Sequence, residues 1–296
     1  MTGRRRLSER TRGFLLVSPP LAVIAVFIGL PIAFGVLYTL GYTGGFNDTI
    51  SLIAQHQSTG WGIGAYRDVF GDSLFWRSVR ATVLVTVVST VLVVGLAWLI
   101  ALQLRFRAGR WARLVAGVSV LPMFIPVVIG ANAILSCYGS AGLFRTVLHA
   151  LGWSEPPVFA YTVTGIIIGQ LWTNLPFAVL MITSGVQGVP QNLLDAARDV
   201  GASRWQRFWS VLLPLNTIPT IIAMTFTVIS VLGSFTLPFI VGPTAPNLLG
   251  PLMEGTYSAL NRPQQAEVMS VFVFVLAAFA SVPYVWANRR AARGVA

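Results

Sequence analysis

The chain has 296 residues, of which 55% are hydrophobic and 10% are charged, and its mean hydropathy is +0.75. A soluble domain carries roughly a quarter charged residues, because its surface must be covered with polar groups, so this composition excludes a soluble globular protein. The net charge is +11, and every basic residue other than histidine is an arginine. The arginines cluster at the ends of apolar runs. That placement indicates a membrane protein rather than a nucleic-acid-binding domain, which a high pI also fits.

Six apolar stretches follow one another along the chain, each long enough for the roughly 20 helical residues that cross a bilayer core. They are residues 14–40, 79–104, 114–136, 158–183, 211–232 and 268–287. We therefore predict an all-α membrane protein whose six-span domain covers residues 14–287, between basic tails at 1–13 and 288–296. The first stretch is too long for a signal peptide and lacks a small-residue cleavage site, so we expect a retained helix.

The arginines also predict how the chain is oriented in the membrane. Fifteen of the twenty fall in the two tails and in the second and fourth connections, and five fall in the other connections. Arginine is enriched in cytoplasmic loops. We therefore expect an inner-membrane protein with both termini in the cytoplasm.

A charged segment at 193–215, LLDAARDVGASRWQRFWSVLLPL, separates the fourth and fifth stretches. Pro190 suits the start of a helix, and Gly201 is placed to end that helix in a left-handed cap. Ser203 and Gln206 form a capping-box pattern that starts a second helix. Helical spacing puts four apolar side chains of the first helix on one face: Leu193, Leu194, Ala197 and Val200. Acids alternate with arginine on the other face, which suits a protein groove better than anionic lipid, although a helix in the headgroups stays an alternative.

The same segment resembles the cytoplasmic-loop signature of binding-protein-dependent ABC importer permeases. That signature reads E-A-A, three residues, Gly, nine residues, I-x-L-P. Here Asp195-Ala196-Ala197 is followed by Gly201 and then by Val211-Leu212-Leu213-Pro214, with matching spacing throughout. The departures are Asp for Glu and Val for Ile.

The resemblance implies a type I ABC importer permease fold, in which residues of about 190–210 form a coupling helix seated in a cleft of a cytoplasmic ATPase. It implies a set of ATPase-docking residues: Asp195, Ala196, Ala197, Arg198 and Gly201. The implied partners are a dimer of cytoplasmic ABC ATPases, a second permease that is homologous or identical, an extracytoplasmic solute-binding protein and membrane lipid. ATP and magnesium would bind the ATPase, so this chain would carry no cofactor.

The sequence also argues against an enzyme. There is no lysine for a Walker A phosphate loop, so ATP hydrolysis must lie on another chain. His56, His149 and Cys137 are isolated from one another, and we expect no metal site and no catalytic residue.

The apolar stretches hold no acid or arginine near their centres, which disfavours an ion-coupled carrier. Five polar residues are candidates to line a solute pathway: Asn132, Gln170, Asn174, Thr225 and Ser230. Hydrogen bonding between helices is the alternative role for each. The segment GSFTLPFIVG at 233–242 resembles polyamine-type permeases, whereas the chain length also suits sugar permeases, so the solute stays open. A non-transporting scaffold and an ion-coupled carrier are the other functions left open.

Overall fold

The computed structural model describes residues 9–42, 61–106, 109–243 and 247–294, and the secondary structure in these ranges is helical. The N-terminal arginines 4–6, Arg107 and His56 lie outside the described residues. In the first half the helices are α1 (Glu9–Ile24, a π turn Ala25–Gly29 and Leu30–Thr39), α2 (Gly64–Gly71), α3 (Ser73–Phe106), α4 (Arg110–Val120, then a 3-10 turn Leu121–Phe124), α5 (Val127–Tyr138) and α6 (Leu143–Ala150).

Seven helices are described in the second half. They are α7 (Val163–Gly188), α8 (Gln191–Asp199), α9 (Arg204–Arg207, a π turn Phe208–Leu212 and Leu213–Leu215), α10 (Thr217–Leu232), α11 (Thr236–Val241), α12 (Leu249–Ser258) and α13 (Pro263–Gly294). The charged segment lies in α8 and α9.

Within the described ranges, five helical stretches are long and apolar enough to cross a membrane. They are Gly13–Thr39, Ser73–Phe106, Val127–Ala150, Val163–Gly188 and Pro263–Arg289. A sixth candidate is the pair Arg204–Leu215 and Thr217–Leu232, whose helix axis bends by 72° between the two halves. This agrees with the predicted all-α protein of six transmembrane helices.

Two of the six predicted stretches are not single straight helices. The third, 114–136, breaks before Pro126, where Ile125 takes extended backbone angles (φ −105°, ψ 123°). A proline clashes with a helical residue before it, which is the physical reason for this break. The fifth, 211–232, bends at Asn216, which separates α9 from α10.

The chain divides into two compact units, of which the larger covers the described residues of 72–254 and 272–296. Its centre is a bundle of α3, α7 and α10. Small side chains such as Ala97 and Ala178 lie fully buried among larger ones such as Ile182. Gly130 of α5 lies directly against the indole ring of Trp172 of α7, where a larger side chain would clash. Small residues of this kind let membrane helices approach closely.

The smaller unit covers the described residues of 1–71 and 255–271. The hydroxyls of Thr39 and Tyr66 are hydrogen-bonded at 2.7 Å, which joins the end of α1 to α2. The Nε2 of Gln264 donates to the carbonyls of Tyr38 and Thr39 at 3.3 Å each. These bonds tie α13 to the carbonyls of the last turn of α1, where a helix end leaves acceptors incompletely satisfied.

Candidate functional site

The charged segment folds as two short helices joined at Gly201. Gly201 has φ of +82°, in the left-handed region that favours glycine. Its N–H donates to the carbonyl of Arg198 at 2.9 Å, and the N–H of Ala202 donates to the carbonyl of Ala197 at 3.0 Å. This pair of bonds is the Schellman arrangement, which ends a helix by satisfying its last carbonyls. The predicted stop at Gly201 is confirmed.

The second helix begins with the predicted capping box. The Ser203 hydroxyl accepts from the Gln206 backbone N–H at 3.3 Å, and the Gln206 side-chain oxygen accepts from the Ser203 backbone N–H at 2.8 Å. Two N–H groups that a helix start leaves free are thereby satisfied. At the other end of the segment, Pro190 caps α8 and Gln191 is its first helical residue.

The prediction that the four apolar side chains of α8 share one face is wrong. Leu194 is fully buried in the cluster formed by α3, α7 and α10, and Ala197 is half-buried. Leu193 is 43% exposed and Val200 is 85% exposed. Leu193, Ala196 and Val200 are spaced by three and four residues, so they form a stripe that points away from the spans. We call these three residues the outer stripe.

Arg105 connects the end of α3 to the charged segment. Its guanidinium donates to the carbonyl of Gln187, in the last turn of α7, at 3.2 Å. The same group donates to the carbonyl of Val189, which follows α7, at 2.8 Å. It also donates to the side-chain oxygen of Gln191 at 3.0 Å, and Gln191 donates to the carboxylate of Asp195 at 3.1 Å. The fork of the guanidinium suits several acceptors at once. Sequence reasoning counted Arg105 only toward orientation, because nothing local marks its partners 82 to 86 residues away.

Asn216 lies at the bend between α9 and α10 and is fully buried. Its side-chain N–H donates to the carbonyl of Ile182 in α7 at 3.3 Å, and its side-chain oxygen lies against Gly185. The bend is therefore fixed to the C-terminal half of α7 by a polar side chain. An isolated Asn between Pro214 and Pro219 is the sequence signal that could have located this bend.

Two of the five candidate pathway residues are joined to each other. Gln170 is buried and donates to the hydroxyl of Ser234 at 2.9 Å. The Asn174 amide donates to both the backbone carbonyl and the side-chain oxygen of Gln170, at 2.9 and 3.2 Å. The Gln170 bond links α7 to Ser234, which lies between α10 and α11, so Gln170 takes a structural role between segments like the one named as the alternative, whereas the Asn174 bonds stay within α7.

The other three candidates lie on α5 and α10. Asn132 is exposed on α5 and donates to the carbonyl of Val128 in its own helix at 2.8 Å. On α10, Thr225 is buried and Ser230 is exposed. In the part of the chain that the structure describes, no group of three or more His, Cys, Asp or Glu side chains is placed to hold a metal ion.

Comparison with known proteins identifies the family. Residues 93–295 match the model of the binding-protein-dependent transport system inner membrane component. The chain belongs to this family. It is 28% identical to the trehalose/maltose transport system permease protein MalF of Thermococcus litoralis over 98% of this chain and 97% of that one. It is 30% identical to the spermidine/putrescine permease PotB of Haemophilus influenzae over 57% of this chain and 60% of that one.

The fold matches that of a solved ABC importer. A bacterial alginate ABC transporter, in complex with an alginate-bound periplasmic protein, aligns with a TM-score of 0.72 at 17% identity and covers 95% of this chain and 96% of that one. The chain is thus a multi-pass inner-membrane permease subunit of a binding-protein-dependent ABC importer, and ATP hydrolysis resides on partner subunits. Neither an ion-coupled carrier nor a non-transporting scaffold fits this family.

Proposed function

We propose that α8 and the Gly201 turn are the place where a cytoplasmic ATPase subunit docks. The outer stripe carries this proposal, because three apolar side chains of a charged helix point away from the spans while Leu194 anchors the same helix in the core. The small side chain of Ala196 allows close approach. Asp195 and Arg198 are exposed beside it and would set the register through ion pairs, which contribute little energy at a surface.

Docking at this position would transmit ATPase closure to the spans by two connections. Leu194 belongs to the buried cluster that includes residues of α3, α7 and α10, and Arg105 joins α3 to one carbonyl in the last turn of α7 and one just after it. A displacement of α8 would therefore move three spans together. The proposed assembly has two ATPases, a second permease that is identical or homologous, and a solute receptor on the far side, with both termini of this chain in the cytoplasm.

The Gly201 turn gives the sharpest test. In the described part of the chain, no atom beyond the neighbouring residues lies within 4 Å of the Cβ that a substitution at Gly201 would add, so within this chain the substitution acts through backbone conformation. A left-handed residue other than glycine costs about 1–2 kcal/mol, and β-branched valine is worse, whereas asparagine tolerates this conformation. One to two kcal/mol lowers the population of the docking geometry by a factor of about 5–30.

The experiment compares Gly201→Val with the matched control Gly201→Asn in proteoliposomes that contain the whole importer. We expect the valine variant to hydrolyse ATP while transporting poorly, and the asparagine variant to transport nearly as well as the wild type. A second variant, Ala197→Arg, places charge and bulk on the half-buried side of α8 and is expected to uncouple in the same way. Transport at the wild-type rate by Gly201→Val or by Ala197→Arg would contradict the docking assignment.

For the solute we propose a sugar rather than a polyamine. The relative aligned over almost the whole chain transports trehalose and maltose, whereas the polyamine relative aligns over little more than half. The centres of the spans carry no carboxylate that would pair with a polycation. Uptake of labelled trehalose and of labelled spermidine by cells with and without this chain separates the two solutes.

The candidate pathway residues enter this proposal with different roles. Asn132 and Ser230 are exposed, so a solute can reach them without breaking contacts inside the chain. Gln170 and Asn174 are buried and bonded to each other, and Thr225 is buried separately in α10. These three residues would therefore support the residues that line the pathway rather than contact the solute. Substitution of Asn132 or Ser230 should change the apparent KM for solute more than the folded yield.

A further inference from the structure

The segment that follows the Gly201 turn differs in chemistry from the helix before it. α8 carries Asp195 and Asp199 together with Arg198, whereas no acid occurs between residues 200 and 253. α9 instead carries the exposed Arg204 and the half-buried Arg207, which are interspersed with aromatic residues. A surface that mixes both charges suits a protein groove. A surface of arginine and tryptophan is typical of the membrane–water interface.

The aromatic side chains of α9 form one connected group. The rings of Trp205 and Phe208 stack at 5.6 Å, and Trp209 packs edge-on against both at 5.4 and 5.3 Å. Phe208 is anchored edge-on against Trp98 of α3 at 5.2 Å. Trp205 and Trp209 nevertheless remain 67% and 51% exposed, so two large amphipathic side chains project from a fixed base.

The lengths of α9 and α10 and the bend between them indicate the depth of this group in a bilayer. α10 has 16 residues and is about 24 Å long, which is shorter than the hydrocarbon core of about 30 Å. α9 is roughly 18 Å long, and because it meets α10 at 72° it advances only about 6 Å along the axis of α10. With α10 upright, α9 therefore lies nearly flat at the boundary between acyl chains and headgroups.

A second helix start on the same predicted side shows the same pattern. Trp111 is 80% exposed and follows Arg110 at the start of α4. The second connection and the charged segment are the two arginine-rich connections of the chain. Arginine beside exposed tryptophan at both helix starts is what a shared interfacial depth requires.

We propose that α9 binds anionic phospholipid, with Trp205 and Trp209 at the acyl boundary and with Arg204 and Arg207 on the lipid phosphates. The charged segment is then divided, so that α8 faces a protein and α9 faces the bilayer. Arginine forms bidentate bonds to phosphate, and each basic side chain near an anionic leaflet adds to binding. This proposal needs neither the ATPase nor the solute, so it stands or falls separately from the docking assignment.

The test measures depth in the membrane for the full chain in nanodiscs. In a Cys137→Ser background, single cysteines replace Trp205 or Trp209 and carry a fluorescent label. Quenching by brominated lipid and by aqueous iodide is then compared with two reference positions. These are Val200, exposed before α9 begins, and Leu84, which is 55% exposed within the long span α3.

We expect labels at 205 and 209 to be quenched by lipid brominated near the headgroup, about 5–10 Å below the surface, and to be shielded from iodide. The Val200 label should respond to iodide and the Leu84 label to deeply brominated lipid. Iodide quenching at 205 and 209 that equals quenching at Val200 would overturn the proposal. So would shielding that appears only when an ATPase is added, since it would assign these aromatics to a protein interface.

Lipid charge is tested with the same labels. Nanodiscs of phosphatidylcholine alone are compared with nanodiscs of equal parts phosphatidylcholine and phosphatidylglycerol. The anionic lipid should increase lipid quenching at position 209 in the parent chain but not in the Arg204→Gln/Arg207→Gln chain. An equal response of the two chains would show that these arginines do not bind the phosphates and would overturn that half of the proposal.

Discussion

Leu194 is expected to hold α8 against the spans, and its neighbour Leu193 provides a matched comparison. Leu194 is fully buried, whereas Leu193 is 43% exposed on the outer stripe. α8 has only nine residues, and an isolated helix of that length is marginal in water, so tertiary packing must stabilise it. Truncation of a fully buried leucine to alanine costs about 2–5 kcal/mol.

Hydrogen exchange of the backbone amides in α8 measures this anchor directly. A loss of at least about 2 kcal/mol should speed exchange in Leu194→Ala about 30-fold or more, because each 1.4 kcal/mol is a factor of ten. Leu193→Ala should leave exchange in the permease alone nearly unchanged. In the assembled importer both variants should hydrolyse ATP with reduced transport, the first by detaching the helix and the second by weakening the ATPase contact.

Two results would refute this reasoning. Unchanged exchange in Leu194→Ala would mean that the buried contact does not hold α8. Equal acceleration by Leu193→Ala would mean that the assignment of inner and outer faces is wrong.

Three further predictions concern contacts within the larger unit. Arg105→Gln should uncouple ATP hydrolysis from transport. Arg105→Lys should retain only part of the coupling, because lysine keeps the charge but lacks the guanidinium fork. Gln170→Leu removes an inter-helix bond to Ser234 worth about 0.6 kcal/mol and should lower the thermal unfolding midpoint, whereas Asn132→Leu should not. Gly130→Ala meets the Trp172 ring and should destabilise the fold by about 1–3 kcal/mol.

Each of these has an outcome that contradicts it. Full coupling in Arg105→Gln would show that the hydrogen bonds from Arg105 to the carbonyls at the end of α7 are not needed to transmit motion from α8 to the spans. An equal fall of the unfolding midpoint in Gln170→Leu and Asn132→Leu would remove the distinction between inter-helix and intra-helix bonds. Gly95 in α3 has nothing within 4 Å of its missing side chain, so Gly95→Ala should not destabilise. A loss of stability at Gly95 as large as at Gly130 would show that close packing against Trp172 is not the cause.

Features set by local chemistry were predictable from the sequence. The Gly201 stop and the Ser203–Gln206 capping box form because glycine enters the left-handed region without steric cost and because serine and glutamine satisfy free N–H groups nearby. The span count also follows from local composition, since about 20 apolar residues suffice.

Features set by distant neighbours were not predictable. Helical spacing puts Leu193 and Leu194 near each other, and only the position of the α3–α7–α10 bundle decides that one is buried and the other exposed. The sequence identifies Arg105 only as one of the basic residues of a connection, because its carbonyl partner Val189 lies 84 residues away and approaches it only in the folded chain. The break at Pro126 was readable as a kink, but whether the helix resumed was not, because membrane helices also tolerate proline.

The most direct test of the docking assignment is a photocrosslink from the outer stripe. A photoreactive amino acid replaces Ala196, and the protein is crosslinked in its native membrane, purified in mild detergent and digested for mass spectrometry. We predict crosslinks to an ABC ATPase, whereas the same probe at Leu84, exposed within the long span α3, should give none to the ATPase. Recovery of an associated ATPase that never crosslinks to position 196, or of the chain alone under conditions that keep known importers together, would contradict docking at α8.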